Sequence, residues 1–484
     1  MLIHERGKHR PYHYGLFPLE TLPRKPAIAA EEADRPRLSG PPKRKAPACE
    51  LAQAARKYTE LFMKFRQGEV MPARAPVPDD LQRRSMDIKG GIYFLNAAHA
   101  GICRLPENAW IEDRSIEGHG YAVVIVVEKG RIPEPGNLAH AWVVDAVEET
   151  TLSRAAGIAV NVANYFGQLG YAATAHAADI TDVDIERLAV MAGVACRSGD
   201  GVVSPYLDDR IVLAAVTTEY EMATDMPLAP TRYRDRGIRY WLGINGAQSG
   251  RERNRRARRA THMSAYPMEE VRRIERPTTL ILDDEVPRVP KRAAFFERGL
   301  KGDLGVKTQI ERWRFAYKHP SAAAFMHMIR GMVPFQDGEV KQVDTSRYAD
   351  AAANSRAIKS LANALGADLT GICEVPRYAW FSHKEDGTPI EPYHKYAVVM
   401  LIDQEYDTME AASGDDWISG SQSMRAYMRG GEIAGVMGEF LRNIGFPARS
   451  QTNLDSDVLH IPLILWAGLG ELSRIGELVL SPLF

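Results

Sequence analysis

Ser423, Tyr427 and Gly431 have residue types and a spacing suited to chemistry. They recur at i, i+4 and i+8 and so share one face of a helix. A hydroxyl, a phenol and a bare backbone patch in a row suit a flat ring with a proton donor beside it. Gly430 and Gly431 stand together in that helix, each at a cost of about 1 kcal/mol against alanine. Such a cost is met where something approaches the backbone closely. The same residues allow a plainer reading, in which Tyr427 caps the core and the glycines ease helix packing, and sequence chemistry leaves both open. A phenol titrates at about 10, so acid catalysis near neutrality asks for a nearby cation. None is evident in this chain.

Other motifs carry less. There is no G-x-x-x-x-G-K-[ST] phosphate loop, and Gly468-Leu469-Gly470 lacks the third glycine of a dinucleotide fingerprint. No H-E-x-x-H or comparable cluster is present. Cys49, Cys103, Cys196 and Cys373 lie far apart with no C-x-x-C pair, which excludes a zinc ribbon, a cysteine-run ferredoxin and a disulfide scaffold within these residues. His4, His9 and His13 read as solvated, and His327 as a satisfied core histidine. The run 251–259 holds six arginines in nine positions. Without interleaved aromatics it reads as a solvated loop rather than a nucleic-acid patch.

The elements that must position Tyr427 are read from an internal repeat. Gly101-Ile102-Cys103-Arg104-Leu105-Pro106 recurs as Gly371-Ile372-Cys373-Glu374-Val375-Pro376, each followed by Ala-Trp. His119 to Val124 matches His394 to Val399 at an offset of 275. That offset then places Arg154 on Arg429, Gly170 on Gly445 and Ala192-Gly193 on Ala467-Gly468. In each copy an apolar Val- and Ile-rich run, 121–128 or 396–403, predicts a buried strand. A long amphipathic helix follows, 152–169 or 423–444, closed by Gly170 or Gly445 in a left-handed cap. The copies differ where chemistry would sit, since Tyr427 falls on Leu152 and Gly430-Gly431 on Ala155-Ala156. Cys103 and Cys373 share one position and read as small core residues. Ala293-Ala294-Phe295-Phe296 predicts the start of a buried segment.

The chain has 484 residues, 45% hydrophobic and 25% charged, with 61 Lys and Arg against 62 Asp and Glu. This length implies two or more domains. The balanced charge rules out a globally basic nucleic-acid binder. The Pro- and Arg-rich start lacks the apolar stretch of a signal peptide, Arg83-Arg84 has no apolar run behind it, and nothing is long and apolar enough to span a membrane. A cytoplasmic location is expected.

Tyr396-Ala397-Val398-Val399, Met424-Arg425-Ala426-Tyr427, Gly445-Phe446-Pro447-Ala448-Arg449 and the stretch from Ala467 to Gly476 together resemble the corrinoid-binding core of the reductive dehalogenases. They are more distantly similar to epoxyqueuosine reductase, which shares the Ala-Gly-Leu-Gly turn. Arg288 to Arg292 and Gly302 to Gly305 resemble the catabolic, non-exported subgroup, and the first copy resembles its degenerate, cofactor-free duplicate. The resemblance implies an α+β fold of two tandem copies of a layered α/β nitroreductase-like corrinoid-binding unit, the first degenerate. It implies cobalamin as cofactor, without a protein histidine ligand. Tyr427 is then the proton donor or anion stabiliser, Ser423 and Phe296 line the substrate, and Gly430, Gly431, Asn453, Gly468 and Gly470 face the corrin. In that family the cluster cysteines come later than Phe484, so two [4Fe–4S] clusters are expected only in an absent C-terminal segment. The expected division is a polar arm with first helices at 1–80, the degenerate copy at 81–207, a connector at 208–349 and the functional domain at 350–484. The function implied is reductive dehalogenation of halogenated phenols or hydroxybenzoates, with electrons from a ferredoxin- or flavodoxin-like protein or a fused reductase module. The alternatives are a non-catalytic corrinoid carrier or chaperone, and a cobalamin-dependent epoxyqueuosine-type reductase. No nucleic-acid partner is expected.

Overall fold

The computed structural model describes residues 19, 22–199, 201–205, 207–230, 274–404, 416–476 and 479–481; the basic run at 251–259 and His4, His9 and His13 fall outside them. In chain order the elements used below are α1 (Glu50–Met63), α2 (Leu81–Phe94), β1 (His99–Arg104), β2 (Tyr121–Glu128), α3 (Leu138–Val143) and α4 (Val147–Gln168). Next come β3 (Ala173–Ala177), α5 (Ile185–Met191), β4 (Cys196–Ser198), β5 (Gly201–Val203) and β6 (Ile211–Thr218). They are followed by α6 (Phe295–Leu300), α7 (Val306–Arg314), α8 (Ala351–Leu365), β7 (Leu369–Glu374) and β8 (Tyr396–Leu401). The last are α9 (Asp416–Asn443), α10 (His460–Trp466), β9 (Glu471–Leu472) and β10 (Val479–Leu480). The described residues divide into two compact units, one drawn from 1–130, 145–257 and 323–328, the other from 131–144, 258–322 and 329–484.

The first unit is built on an antiparallel sheet of order β1-β2-β6-β3. β2 is a run of Val and Ile, and it has a partner on each edge. Residues 121–127 are buried as a result, as expected of β-branched residues in a two-sided strand. α4 packs across β3 and β6 with α1 beside it. Glu148 and Glu149 occupy its first turn, where the helix dipole favours acids. Arg44 and Arg56 both bond the Glu149 carboxylate. The helix ends at Gly170, whose φ of 83° is the left-handed cap the sequence predicts.

The second unit carries the hairpin of β7 with β8 and the pair β9–β10. α8 starts at Asp350, whose carboxylate accepts from the N–H groups of Ala352 and Ala353. Its core gathers Leu369, Trp380, Phe381, Val458, Leu463 and Leu469. Trp142 of α3 packs its ring 5.1 Å from that of Phe440 on α9. Two expectations fail here. β8 is only half-buried, with Tyr396 59% exposed, because among the described residues it pairs on one edge alone. Phe295 and Phe296 are 55% and 54% exposed. Their six-residue helix buries Gly299 only, and the rings pack edge to face on each other at 5.7 Å instead of on a core.

The two units use the same local construction. Cys103 lies opposite Ala122 in β1–β2, and Cys373 opposite Ala397 in β7–β8. Trp110 bridges Val183, and Trp380 bridges Val458. α5 and α10 are both seven residues long and stand 275 positions apart at each end, 185 against 460 and 191 against 466. A Cβ added to Gly101 would lie 2.3 Å from the Ala192 carbonyl oxygen, and one on Gly371 would lie 2.7 Å from that of Ala467. Only glycine admits so close a crossing of strand and turn. Arg154 and Arg429, paired by the sequence offset, each donate to a carbonyl where the helix before the strand pair ends, Asn96 just past α2 at 2.5 Å and Leu365 at the end of α8 at 2.8 Å.

Candidate functional site

α9 presents Ser423 and Tyr427 one turn apart, both half-buried. Burial raises the Tyr427 phenol above its ordinary value of 10, and the positive charge of Arg312 acts against that rise. Arg312 belongs to α7, and its guanidinium stands 5.3 Å over the ring of Phe296. Arg312 is thus a cation that stands over Phe296 and whose charge acts on Tyr427, and nothing in its sequence spacing marked it. The chain after α7 is fixed against the start of α9. Ser321 and Ser421 share a hydroxyl hydrogen bond of 2.5 Å, and a Cβ on Gly420 would lie 3.3 Å from the Phe315 carbonyl oxygen.

The adjacent glycines of α9 differ. Gly431 is buried, and an added Cβ would meet Met332 Cε at 2.9 Å and Thr452 Cγ2 at 3.7 Å, so packing already asks for a small residue there. At Gly430 a Cβ would find nothing among the described residues nearer than Ile402 Cγ1 at 3.9 Å. Packing of the described residues does not account for that glycine.

Thr452 opens the tight turn that carries Asn453. Its N–H donates to Asp455 O at 3.0 Å, its hydroxyl accepts from the Asp455 N–H at 3.3 Å, and Asn453 sits exposed at the bend. The loop is pinned from several sides. Arg449, whose side chain is 7% exposed, reaches Asp455 at 2.6 Å, Asp457 at 3.3 Å and Asp337 at 2.9 Å. Gln336 Nε2 donates to the carbonyls of Ser450 at 2.7 Å and Asp455 at 2.9 Å. The Tyr393 hydroxyl donates to Asp457 at 2.8 Å, and burial pushes this phenol up to about 12. These clamps hold Asn453 beside the Gly431 face of α9 on an ordered turn. Sequence spacing gave no sign of them, because the partners lie on separate segments.

Gly468 takes φ 69°, the left-handed conformation just past α10. A Cβ on Gly470 would fall 2.4 Å from Val479 Cγ1 and 2.7 Å from Leu480 O, inside the β9–β10 pair. Both thus have a backbone reason to be glycine. Their turn includes Leu469, which shares a core with Val458 from the end of the Asn453 loop. The Cys103 and Cys373 thiols are buried 3.9 Å and 3.6 Å from the carbonyls of Leu188 and Leu463. Burial raises both, Cys373 to about 11, which suits core residues and not nucleophiles. His327 stacks on Phe65, with ring centroids 6.2 Å apart. Among the described residues no group of His, Cys, Asp and Glu could hold a metal ion, and no helix is long and apolar enough to cross a membrane.

Comparison with known proteins places this arrangement. No family model and no curated protein matches the chain. Solved structures do. The chain is 42% identical to a reductive dehalogenase whose structure suggests a mechanism for B12-dependent dehalogenation, with a TM-score of 0.88, over 98% of this chain and 68% of that one. The chain belongs to the reductive dehalogenases, oxidoreductases that act on organohalides. Within that family it fits the catabolic subgroup. It is similar to catabolic reductive dehalogenase NpRdhA, at 42% identity and a TM-score of 0.87 over the same shares of the two chains, and equally to NpRdhA in complex with 3-bromo-4-hydroxybenzoic acid. Epoxyqueuosine reductase from Streptococcus thermophilus also matches, at 11% identity and a TM-score of 0.22 over 58% of this chain and 90% of that one.

Proposed function

We propose that the protein removes halogen from aromatic rings, halogenated phenols or hydroxybenzoates, at a bound cobalamin, with Tyr427 as proton donor or anion stabiliser. The observation that carries this reading is the half-buried Tyr427 with Arg312 acting on it and Phe296 beneath that cation. The residues present fit a flat macrocycle. Gly430 leaves a stretch of helix that no side chain of the described residues fills, the Asn453 turn is exposed and pinned from several sides, and the backbone at Gly468 to Gly470 turns tightly. These residues would hold the corrin, with Gly431 giving close packing behind it. When bound, cobalamin supplies the reduced cobalt at which the carbon–halogen bond is broken.

The chain's own contribution is positioning and a proton. Burial keeps the Tyr427 phenol neutral at physiological pH, so its O–H remains available to donate. Arg312 stabilises the phenolate left behind, or negative charge developing on the ring. Phe296 offers an aromatic wall and Ser423 a hydroxyl one turn away on the same helix. The two electrons come from a ferredoxin- or flavodoxin-like donor or a fused reductase module. The four cysteines lie too far apart in sequence to fit an iron–sulfur cluster, and none is assigned to them. The segment from 81 is read as a degenerate copy of the corrinoid-type unit that 350–484 keeps functional, joined by 208–349 and preceded by an N-terminal arm. The setting is cytoplasmic.

Tyr427→Phe in the full enzyme tests the reading. It keeps the ring and removes the hydroxyl, so halide release should fall about 10²–10⁴-fold while cobalamin content stays at the wild-type level. A purely structural Tyr427 gives the opposite pattern, a small change in rate and about 1 kcal/mol of lost stability.

A further inference from the structure

Arg312 has more donor capacity than the described residues use. Its guanidinium lies over the Phe296 ring, its Nε is buried with no hydrogen-bond partner, and among the described residues it forms no ion pair. Buried N–H groups nearly always find an acceptor, and arginine's planar fork matches a carboxylate or other oxyanion in two-point contact. Three other cations of this region are already engaged: Lys291 pairs with Asp455, Arg292 with Asp303 and Arg314 with Glu311. Phe296 beside it is 54% exposed, which leaves ring surface for a second aromatic to pack against. The same charge acts on the half-buried phenol of Tyr427. An aromatic ring carrying an anionic oxygen would meet all three features at once.

We propose that Arg312 is a specificity-determining residue, receiving the anionic oxygen of the halogenated ring, a carboxylate or a phenolate, beside the Phe296 face. The inference rests on the dehalogenase reading above and deepens it by naming the residue that selects charged over neutral substrates.

Calorimetric titration of the cofactor-loaded protein tests it without turnover. The probes are 4-bromobenzoate, 2-bromophenol held as phenolate at pH about 9.5, and neutral bromobenzene. Arg312→Gln should weaken at least one anionic probe about 10–100-fold, the range of a charge-assisted hydrogen bond, and bromobenzene by less than about 3-fold. Loss confined to the benzoate assigns the carboxylate, and loss confined to the phenol assigns the phenolate. Arg312→Lys keeps the charge without the fork and should recover part of the affinity. Equal loss on all three probes, or no loss, overturns the proposal. A competing role is neutralisation of Glu297, whose Oε2 is also buried without a partner. That role predicts that Arg312→Gln and Glu297→Gln both lower the melting temperature and leave every affinity unchanged, which also overturns it. Wild-type protein that binds through Arg312 but releases no halide would defeat the catalytic reading alone. Turnover with an unchanged Arg312→Gln affinity would defeat this inference alone.

Discussion

Tyr427 and Arg312 show how charge and burial divide the work at single residues. Burial holds the phenol above 10 and the guanidinium pulls it back, so Tyr427 stays protonated through neutrality. Its proton is lost only as pH rises through that raised value. Halide release limited by Tyr427 should therefore show no alkaline limb with a midpoint below about 10, and Arg312→Gln should move the limb to higher pH. A rate profile that already falls between pH about 7 and 9 in the wild type, and is unmoved by the substitution, would remove Tyr427 from the proton path. Tyr427 stands out in the sequence because its helical spacing and its replacement by Leu152 in the other copy single it out. Arg312 was not. It lies on a separate helix in a segment rich in charged residues, where a solvated arginine is the ordinary expectation, and only the fold brings it over Phe296.

Helices and strands carry the next level of consequence. Gly430→Ala meets no neighbour nearer than 3.9 Å, so it should raise helix stability by about 1 kcal/mol, seen as a higher melting temperature of the apoprotein. If the corrin lies on this face, the same substitution lowers cobalamin occupancy; a rise in both would place the cofactor elsewhere. In the first unit, β3 and β6 enclose His176, whose Nε2 lies 2.9 Å from Thr217 Oγ1 and whose Nδ1 accepts from the Asp182 N–H at 3.2 Å. Burial, with Arg66 nearby, pushes this histidine down to about 3, and burial takes His99 down to about 4. Folded values below the unfolded 6.5 mean that this stability is fully present above 6.5 and is lost as pH falls toward those values. Melting temperature should drop as pH falls from about 6.5 to 4, and His176→Gln should flatten the slope. An unchanged slope would show that His176 is already charged in the fold. The elements themselves were largely readable, since the 275-residue offset carries α5 onto α10 and the Gly170 cap onto Gly445. Burial of β8 was not, because an apolar run does not say how many of its edges are paired. The outward turn of Phe295 and Phe296 was equally hidden, since an apolar tetrad predicts burial whatever the length of the helix it starts.

Across the whole chain, one construction supports two different outcomes. The first unit places Leu152, Ala155 and Ala156, all buried, where the second has Tyr427, Gly430 and Gly431. One cobalt per chain is therefore expected from elemental analysis of reconstituted protein, and two would mean that the first unit binds as well. The matched construction also bears on inheritance. Cys103 faces Ala122 as Cys373 faces Ala397, and the helices ending these layers have one length. A crossover between the two halves of the coding sequence at equivalent positions, such as after Pro106 and Pro376, would join strand to helix in phase and keep every inward side chain inward. The turn that follows absorbs a change of length, since it runs from Pro106 to Tyr121 in one copy and is five residues longer, from Pro376 to Tyr396, in the other, with the same strand register after it. Recombination at such a turn would delete or double a unit and leave the strands on either side intact.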